Sequence, residues 1–239
     1  MDNRLDIIIP VYNERENFES TYKHLKEKVT SSWRVLLVYD FPKDTTLEIA
    51  EPISKTEDRL LLIQNESVGA LGAIKTGFVH ADAPAVLVLM VDDSPELIGS
   101  IDKMVDMFYK ENATIVAPSR YMEGGKSSGN NFIKSILSRV AGISMNFLIR
   151  IPVHDATNAT RMYSKKFLDA TPIKSKRGFE FTLELTLKAY FSGGKIIEIP
   201  TIWRERTVGT SRFQILLWLP AYMRWYLYGI RRYWIGGKP

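Results

Sequence analysis

Five apolar runs rich in Ile, Val and Leu punctuate the first half of the chain: Leu5–Tyr12, Arg34–Asp40, Leu60–Asn65, Ala85–Asp92 and Ala113–Arg120. Continuous rather than alternating hydrophobicity predicts strands covered on both faces. Between them the apolar spacing becomes helical, near Glu14–Val29, Thr45–Ser54, Val68–Ala81 and Pro95–Lys110. Strands alternating with helices through short loops predict an α/β fold, a Rossmann-like, mostly parallel sheet sandwiched by helices. Such sheets bind ligands outside the carboxyl ends of their strands. Asp40, Asn65, Asp92 and Arg120 all fall at predicted strand ends.

The second half is less regular. "GGKSSG", Gly124–Gly129, reads as a mobile loop, followed by a long helix over about Phe132–Arg150 and a further strand over Lys195–Trp203. With no internal repeat or low-complexity linker, the expected organisation is one catalytic domain, residues 1–212, and a C-terminal amphipathic appendage, residues 213–239.

Composition narrows the chemistry. With 45% hydrophobic and 25% charged residues the chain is globular rather than disordered. The absence of cysteine excludes a disulfide scaffold, a thiolate metal site and a cysteine nucleophile, and fits a reducing compartment. A net charge of +5 suits anionic partners such as nucleotides, phosphorylated lipids, a membrane surface or nucleic acid. The start, "MDNRLDIIIP", has too short an apolar run for a signal peptide, and no stretch is long enough for a transmembrane helix.

Among specific chemistries, a dinucleotide-binding oxidoreductase is disfavoured, because "PVYNERENF" after the first strand lacks the required glycines. No serine-nucleophile elbow is present, and His24, His80 and His154 are scattered. The most chemical feature is Asp92–Asp93, in "LVLMVDDSPELI". Adjacent carboxylates suit Mg²⁺ or Mn²⁺, which bind one or two carboxylates together with substrate phosphates. The plainer reading is a helix cap, with Asp93 or Ser94 ahead of Pro95 at the favoured first position.

"IIIPVYNERENF", "LLVYDFPKDTT", "NESVGALGAIKTGF", "VLMVDDSPE", "VAPSRYMEGG", "HDATNATRMYS" and "GFEFTLELTLKAYFSGGKIIEIPTIWRERTVGTSRF" occur in the order found in family 2 glycosyltransferases. The chain most resembles the dolichol-phosphate mannose synthase and polyprenyl-phosphate sugar transferase branch, over about Leu5 to Tyr228. The resemblance implies a GT-A fold, a nucleotide-sugar donor (GDP- or UDP-linked), Mg²⁺ or Mn²⁺, and inversion at the anomeric carbon. It also implies roles by position. Pro10, Tyr12, Asn13, Glu14, Asp40, Asn65 and Gly69 match the donor's nucleotide pocket, and Asp92 and Asp93 the metal-binding aspartates. Arg120 matches an arginine near the phosphates, and Lys134 and Ser138 match residues at the acceptor phosphate. Asp155, Thr157, Asn158 and Arg161 match a segment on the sugar and acceptor side, and Glu184 the glutamate of an aromatic–aliphatic–Glu helix. Arg206, Gly209, Ser211 and Arg212 match a loop that closes over the donor.

Three departures mark this chain. Its aspartates are adjacent instead of separated by one residue, Tyr39 replaces a first aspartate, and Lys134 replaces an arginine. Lysine neutralises phosphate but cannot make the bidentate contact. A lipid phosphate acceptor would bring its own nucleophile, whereas a sugar hydroxyl would need a base, for which Asp155 and Glu184 are the candidates. A catalytically weak nucleotide-sugar binder is the reading from another class. The segment "FQILLWLPAYMRWYLYGIRRYW" carries Trp, Tyr and Arg together, as at a membrane interface. A helix packed on the domain or in a homo-oligomer is the alternative. Taken together, these readings anticipate a peripheral protein on the cytoplasmic membrane face, with polyprenyl phosphate as partner and no nucleic acid.

Overall fold

The computed structural model describes residues 4–128, 132–204 and 215–236, and lacks described side chains at 132–135, 137 and 215–217. The first half runs β1 (Leu5–Val11), α1 (Arg15–Lys28), β2 (Trp33–Tyr39), α2 (Leu47–Ser54), β3 (Leu60–Gln64), α3 (Gly69–His80) and β4 (Ala85–Val88). There follow α4 (Pro95–Ile98), α5 (Ile101–Lys110), β5 (Ile115–Ser119), β6 (Lys126–Ser128), α6 (Phe132–Ile149) and β7 (Arg161–Ser164). The chain continues through α7 (Lys165–Ala170), α8 (Phe181–Phe191), β8 (Ile196–Pro200), β9 (Ile202–Arg204) and α9 (Ile215–Ile235).

Seven strands form one sheet in the order β3-β2-β1-β4-β7-β5-β8. All neighbours are parallel except β7, which runs antiparallel to both β4 and β5. The pleat sends successive side chains to opposite faces. Thus Ile7 and Ile9 of β1 join α1 and α5 in one core, through Phe18, Leu25 and Met104. Ile8 joins α3, α6, α8 and α9 in the other, through Ile74, Met145, Leu185 and Trp225. All three isoleucines are fully buried, which contributes about 1.5–3 kcal/mol each.

The structure alters four of the expected elements. β4 ends at Val88, and residues 90–93 form a turn closed by Asp93 N–H donating to Met90 O at 3.0 Å. Asp92 and Asp93 therefore stand on a turn beyond the strand. The predicted helix Pro95–Lys110 is broken at Gly99–Ser100 into α4 and α5. The predicted strand Lys195–Trp203 divides at Thr201: β8 stays in the main sheet, and β9 leaves to pair with β6. β6 itself occupies part of the stretch read as a mobile loop. In the C-terminal segment, α9 buries Trp225 and Tyr233 in the second core.

Candidate active site

The carboxyl edge of the sheet gathers three groups of polar side chains, each on a different loop. The first follows β1 and β2. Asn13 takes a left-handed conformation, φ 54°, which Asn tolerates better than most residues. Its backbone N–H donates to both carboxylate oxygens of buried Asp44 at 3.0 Å, and its own Oδ1 accepts Thr45 N–H at 3.1 Å. Glu14 N–H donates to the Thr46 hydroxyl at 3.0 Å. The two loops are thus tied reciprocally, and Tyr12 is left exposed with its ring edge-on to Phe41 at 5.3 Å. Pro10 lies buried within β1 beneath this loop. Asp44 was missed by sequence reading; its signal is Asp-Thr-Thr, an acidic residue whose oxygen accepts the N–H two residues on.

Asp40 and Asn65 extend this wall. Asn65 Nδ2 donates to Asp40 Oδ1 at 2.6 Å, and Gly69 N–H, at the start of α3, donates to Asp40 Oδ2 at 3.0 Å. Gly69 has φ +75°, and a Cβ on Gly72 would come within 3.2 Å of Asn65 Nδ2. Gly72 therefore serves a close approach of helix to loop, while Gly77 lets α3 pack on Ile8 of β1.

The second group is the carboxylate pair. Ser94, not Asp93, caps α4, accepting Leu97 N–H at 3.3 Å. Asp93 folds back instead: its Oδ2 accepts Met90 N–H at 2.9 Å and the hydroxyl of buried Thr160. Burial, and then the charge of Asp92, push the Asp93 carboxyl up to about 7 against those hydrogen bonds. Asp92 is half-buried beside it. Two crowded carboxylates, one of them held part-protonated by its surroundings, form a donor set that a divalent cation would relieve, so the residues fit Mg²⁺ or Mn²⁺. Among the described residues no group of three or more acidic or histidine side chains is gathered for a metal, so substrate oxygens would have to supply the remaining ligands. Sequence reading missed Thr160, which offers no signal beyond its place in "NATRMYS".

The third group centres on Arg120, after β5. Its Nε donates to Asp155 Oδ2 at 2.7 Å and its Nη2 to Oδ1 at 2.9 Å. Nη2 also reaches the Ser138 hydroxyl at 3.1 Å, and Ser138 in turn bonds Thr157. Asp155 is fully buried and the Arg120 side chain is 15% exposed. Burial acts to raise the Asp155 carboxyl, yet Arg120 holds it below the ordinary carboxylate range. Arg120 also feels the charge of Asp93, so it links the two groups electrostatically. Asn158 braces the same loop, donating to Pro118 O at 3.0 Å and accepting Thr160 N–H at 3.2 Å.

Two predicted residues sit apart from this surface. Arg161 is wholly buried in β7, its guanidinium spent on Asp155 O and the Thr186 hydroxyl, so it braces the fold and does not line a site. Glu184 is wholly buried on α8, with its oxygens accepting Lys174 N–H at 2.6 Å and Ser175 N–H at 2.7 Å, and paired with Lys188. Despite burial, those partners hold its carboxyl below the usual range. His154 bonds Glu198 and approaches no carboxylate of the pair. Arg206, Gly209, Ser211, Arg212 and the Lys134 side chain lie outside the described residues.

Known proteins resemble the chain in sequence and in fold. The chain is 26% identical over 218 residues to polyprenol monophosphomannose synthase of Mycolicibacterium smegmatis, covering 86% of this chain and 79% of that protein. It is 25% identical over 235 residues to dolichol-phosphate mannosyltransferase of Pyrococcus furiosus, covering 93% of this chain but only 64% of that longer protein. The fold is that of glucosyl-3-phosphoglycerate synthase from Mycobacterium tuberculosis, solved with Mn²⁺, UDP-glucose and phosphoglyceric acid. That likeness has a TM-score of 0.67 at 14% identity, over 95% of this chain and 78% of that one. Residues 6–171 match glycosyl transferase family 2, and the chain belongs to that family, with the GT-A fold and a glycosyltransferase activity.

Proposed function

We propose that the chain transfers a sugar from a GDP- or UDP-sugar to a polyprenyl phosphate, with inversion at the anomeric carbon and with Mg²⁺ or Mn²⁺ bound. The observation that carries the acceptor class is the state of the two candidate bases. Both oxygens of Asp155 are taken by Arg120, both of Glu184 by backbone amides and Lys188, and both carboxyls are held below the ordinary range. Neither serves as a general base for a sugar hydroxyl. A phosphate monoester needs none: its second pKa is about 6, so it is largely dianionic at neutral pH. The names of the relatives point the same way.

In this reading Asp40, Asn65 and the Asn13 loop receive the nucleoside. Asp92 and Asp93 would hold the cation, which supplies Lewis-acid neutralisation of the departing diphosphate. Arg120, whose guanidinium lies over the Tyr121 and Trp203 rings, offers Nη1, which makes no hydrogen bond among the described residues, to a phosphate oxygen. Such charge-assisted bonds contribute about 1.5–3 kcal/mol. The acceptor phosphate oxygen forms the new bond to the anomeric carbon as the bond to the donor diphosphate breaks, and the nucleoside diphosphate leaves.

A lipid acceptor implies work at a bilayer, peripheral on its cytoplasmic face. Supporting this, α6 exposes Ile136, Val140, Ile143 and Phe147 along one stripe, and packed beside it α9 exposes Leu219, Met223, Leu227 and Trp234. The Tyr226 hydroxyl meets Ser144 at 2.9 Å in the seam between them. Residues 124–154 and 206–239 contain no Asp or Glu, in a chain that has 27. That pattern suits an anionic interface. No helix of the described residues is long and apolar enough to cross a membrane.

The test is a transfer assay with the full chain, Mg²⁺ or Mn²⁺, a panel of nucleotide sugars, and either polyprenyl phosphate or a saccharide. Turnover with the lipid phosphate alone is expected. Turnover with the saccharide, or donor binding without turnover to either acceptor, overturns the proposal.

A further inference from the structure

Glu198 is a buried carboxylate that the chemistry above leaves unused. It stands on β8, in register with Ala117 of β5, with its side chain 7% exposed. Burying a carboxylate is costly without compensation, yet among the described residues no lysine or arginine pairs with it. Its Oε1 accepts two consecutive backbone amides, His154 N–H at 2.6 Å and Asp155 N–H at 3.0 Å. Its Oε2 meets His154 Nδ1 at 2.8 Å. From the opposite side α6 presses on the same turn: a Cβ on Gly142 would lie 1.8 Å from His154 O and 3.4 Å from Ala156 N. The turn is gripped between β8 and α6, and the residue it displays is Asp155, whose two oxygens fix one edge of the Arg120 guanidinium.

We propose that Glu198 is a positioning residue: it holds the 154–155 turn so that Asp155 orients Arg120 with Nη1 turned to phosphate. A carboxylate suits this task because a single oxygen can accept two adjacent amides, and the bonds are charge-assisted. The bidentate Asp155 contact then carries that placement to the plane of the guanidinium. The functional side of the inference rests on the phosphate-binding role of Arg120 proposed above; the structural side does not.

Two variants test it in the full chain. E198D keeps the charge but is one methylene too short to reach both amides; E198Q keeps an acceptor oxygen at full length. The side-chain Nε–H resonance of Arg120 reports its bond to Asp155 without any ligand. In E198D its exchange with water should be faster by about tenfold, the scale of one lost hydrogen bond to a charged group, and in E198Q it should stay near the parent. In the transfer assay E198D should raise the KM for a phosphate-bearing substrate, donor or acceptor, about tenfold with kcat nearly kept, and should add nothing in an R120A background. An unchanged Arg120 resonance in folded E198D overturns the proposal, as does an E198D effect on KM that persists in full without Arg120. A changed resonance with unchanged kinetics keeps the clamp and removes Arg120 from phosphate binding.

Discussion

Asp93 carries two opposed demands, and Asp93→Asn separates them. In the folded chain its carboxyl is pushed up to about 7, while in the unfolded chain it titrates near 4. Between those values the folded state keeps a proton that the unfolded state has released. Stability therefore falls as pH rises through that window, and the penalty is complete above pH 7. At 1.36 kcal/mol per unit, about three units amount to roughly 4 kcal/mol as a ceiling. Asn cannot ionise but retains an oxygen for the Thr160 hydroxyl and the Met90 amide. With chelator present, urea unfolding of D93N should match the parent at pH 4 and exceed it at pH 8 by up to roughly 4 kcal/mol. Added Mn²⁺ should stabilise the parent increasingly with pH, because the cation displaces the proton, and should not stabilise D93N. Parallel pH profiles for the two proteins in chelator would refute both the burial argument and the assignment of Asp93 as a relieved carboxylate.

Three further outcomes follow from the geometry. Asp155→Asn leaves the buried Arg120 without its counter-charge, so unfolding in urea should show a loss of about 3–5 kcal/mol. Gly142→Ala drives a methyl into His154 O, and thermal unfolding should register about 1–3 kcal/mol of destabilisation, with transfer activity lost at temperatures where the fold persists. Glu184 has a depressed carboxyl, so its stabilisation is present above the unfolded value near 4 and lost as pH falls below it. Acid titration by circular dichroism should therefore show a flatter profile below pH 4 in E184Q than in the parent.

Much of this was legible in the sequence because burial on both faces leaves an unbroken apolar record. β1, β2 and β5 are such strands; β3 lies at the sheet edge with Leu61 exposed but keeps an apolar run, and the sequence pattern places all four to within one or two residues. β7 was not, because it is four residues long and opens with Arg161, whose charge erases the apolar signature. That charge is tolerated only because Asp155 O and Thr186 are there to accept it, which is a fact of tertiary contact. The same limit governs the site. Asp40, Asn65 and Arg120 declared themselves by ending apolar runs. Thr160, Asp44 and Glu198 act across 67, 31 and 44 residues of chain; Asp44 has only its short Asp-Thr-Thr turn to mark it, and no local pattern distinguishes the other two from ordinary polar residues. Glu184 shows the converse: a motif marks it clearly, yet its carboxylate is a brace for the 174–175 backbone.

The reversed strand β7 has an evolutionary consequence. It lies between β4, which leads to the aspartate pair, and β5, which leads to Arg120. The loops proposed to receive the nucleotide therefore hang from one block of parallel strands, β3-β2-β1-β4, and the Arg120 loop from another, β5-β8. Within the sheet, among the described residues, the blocks are joined through β7 alone, while both hydrophobic cores span them, so either block can drift or be exchanged provided its core contacts are kept. A lineage could in this way pair one proposed donor module with many acceptor modules, and a chimera cut in the connection between β4 and β5, beyond the aspartate pair, should inherit its donor choice and its acceptor choice from different parents.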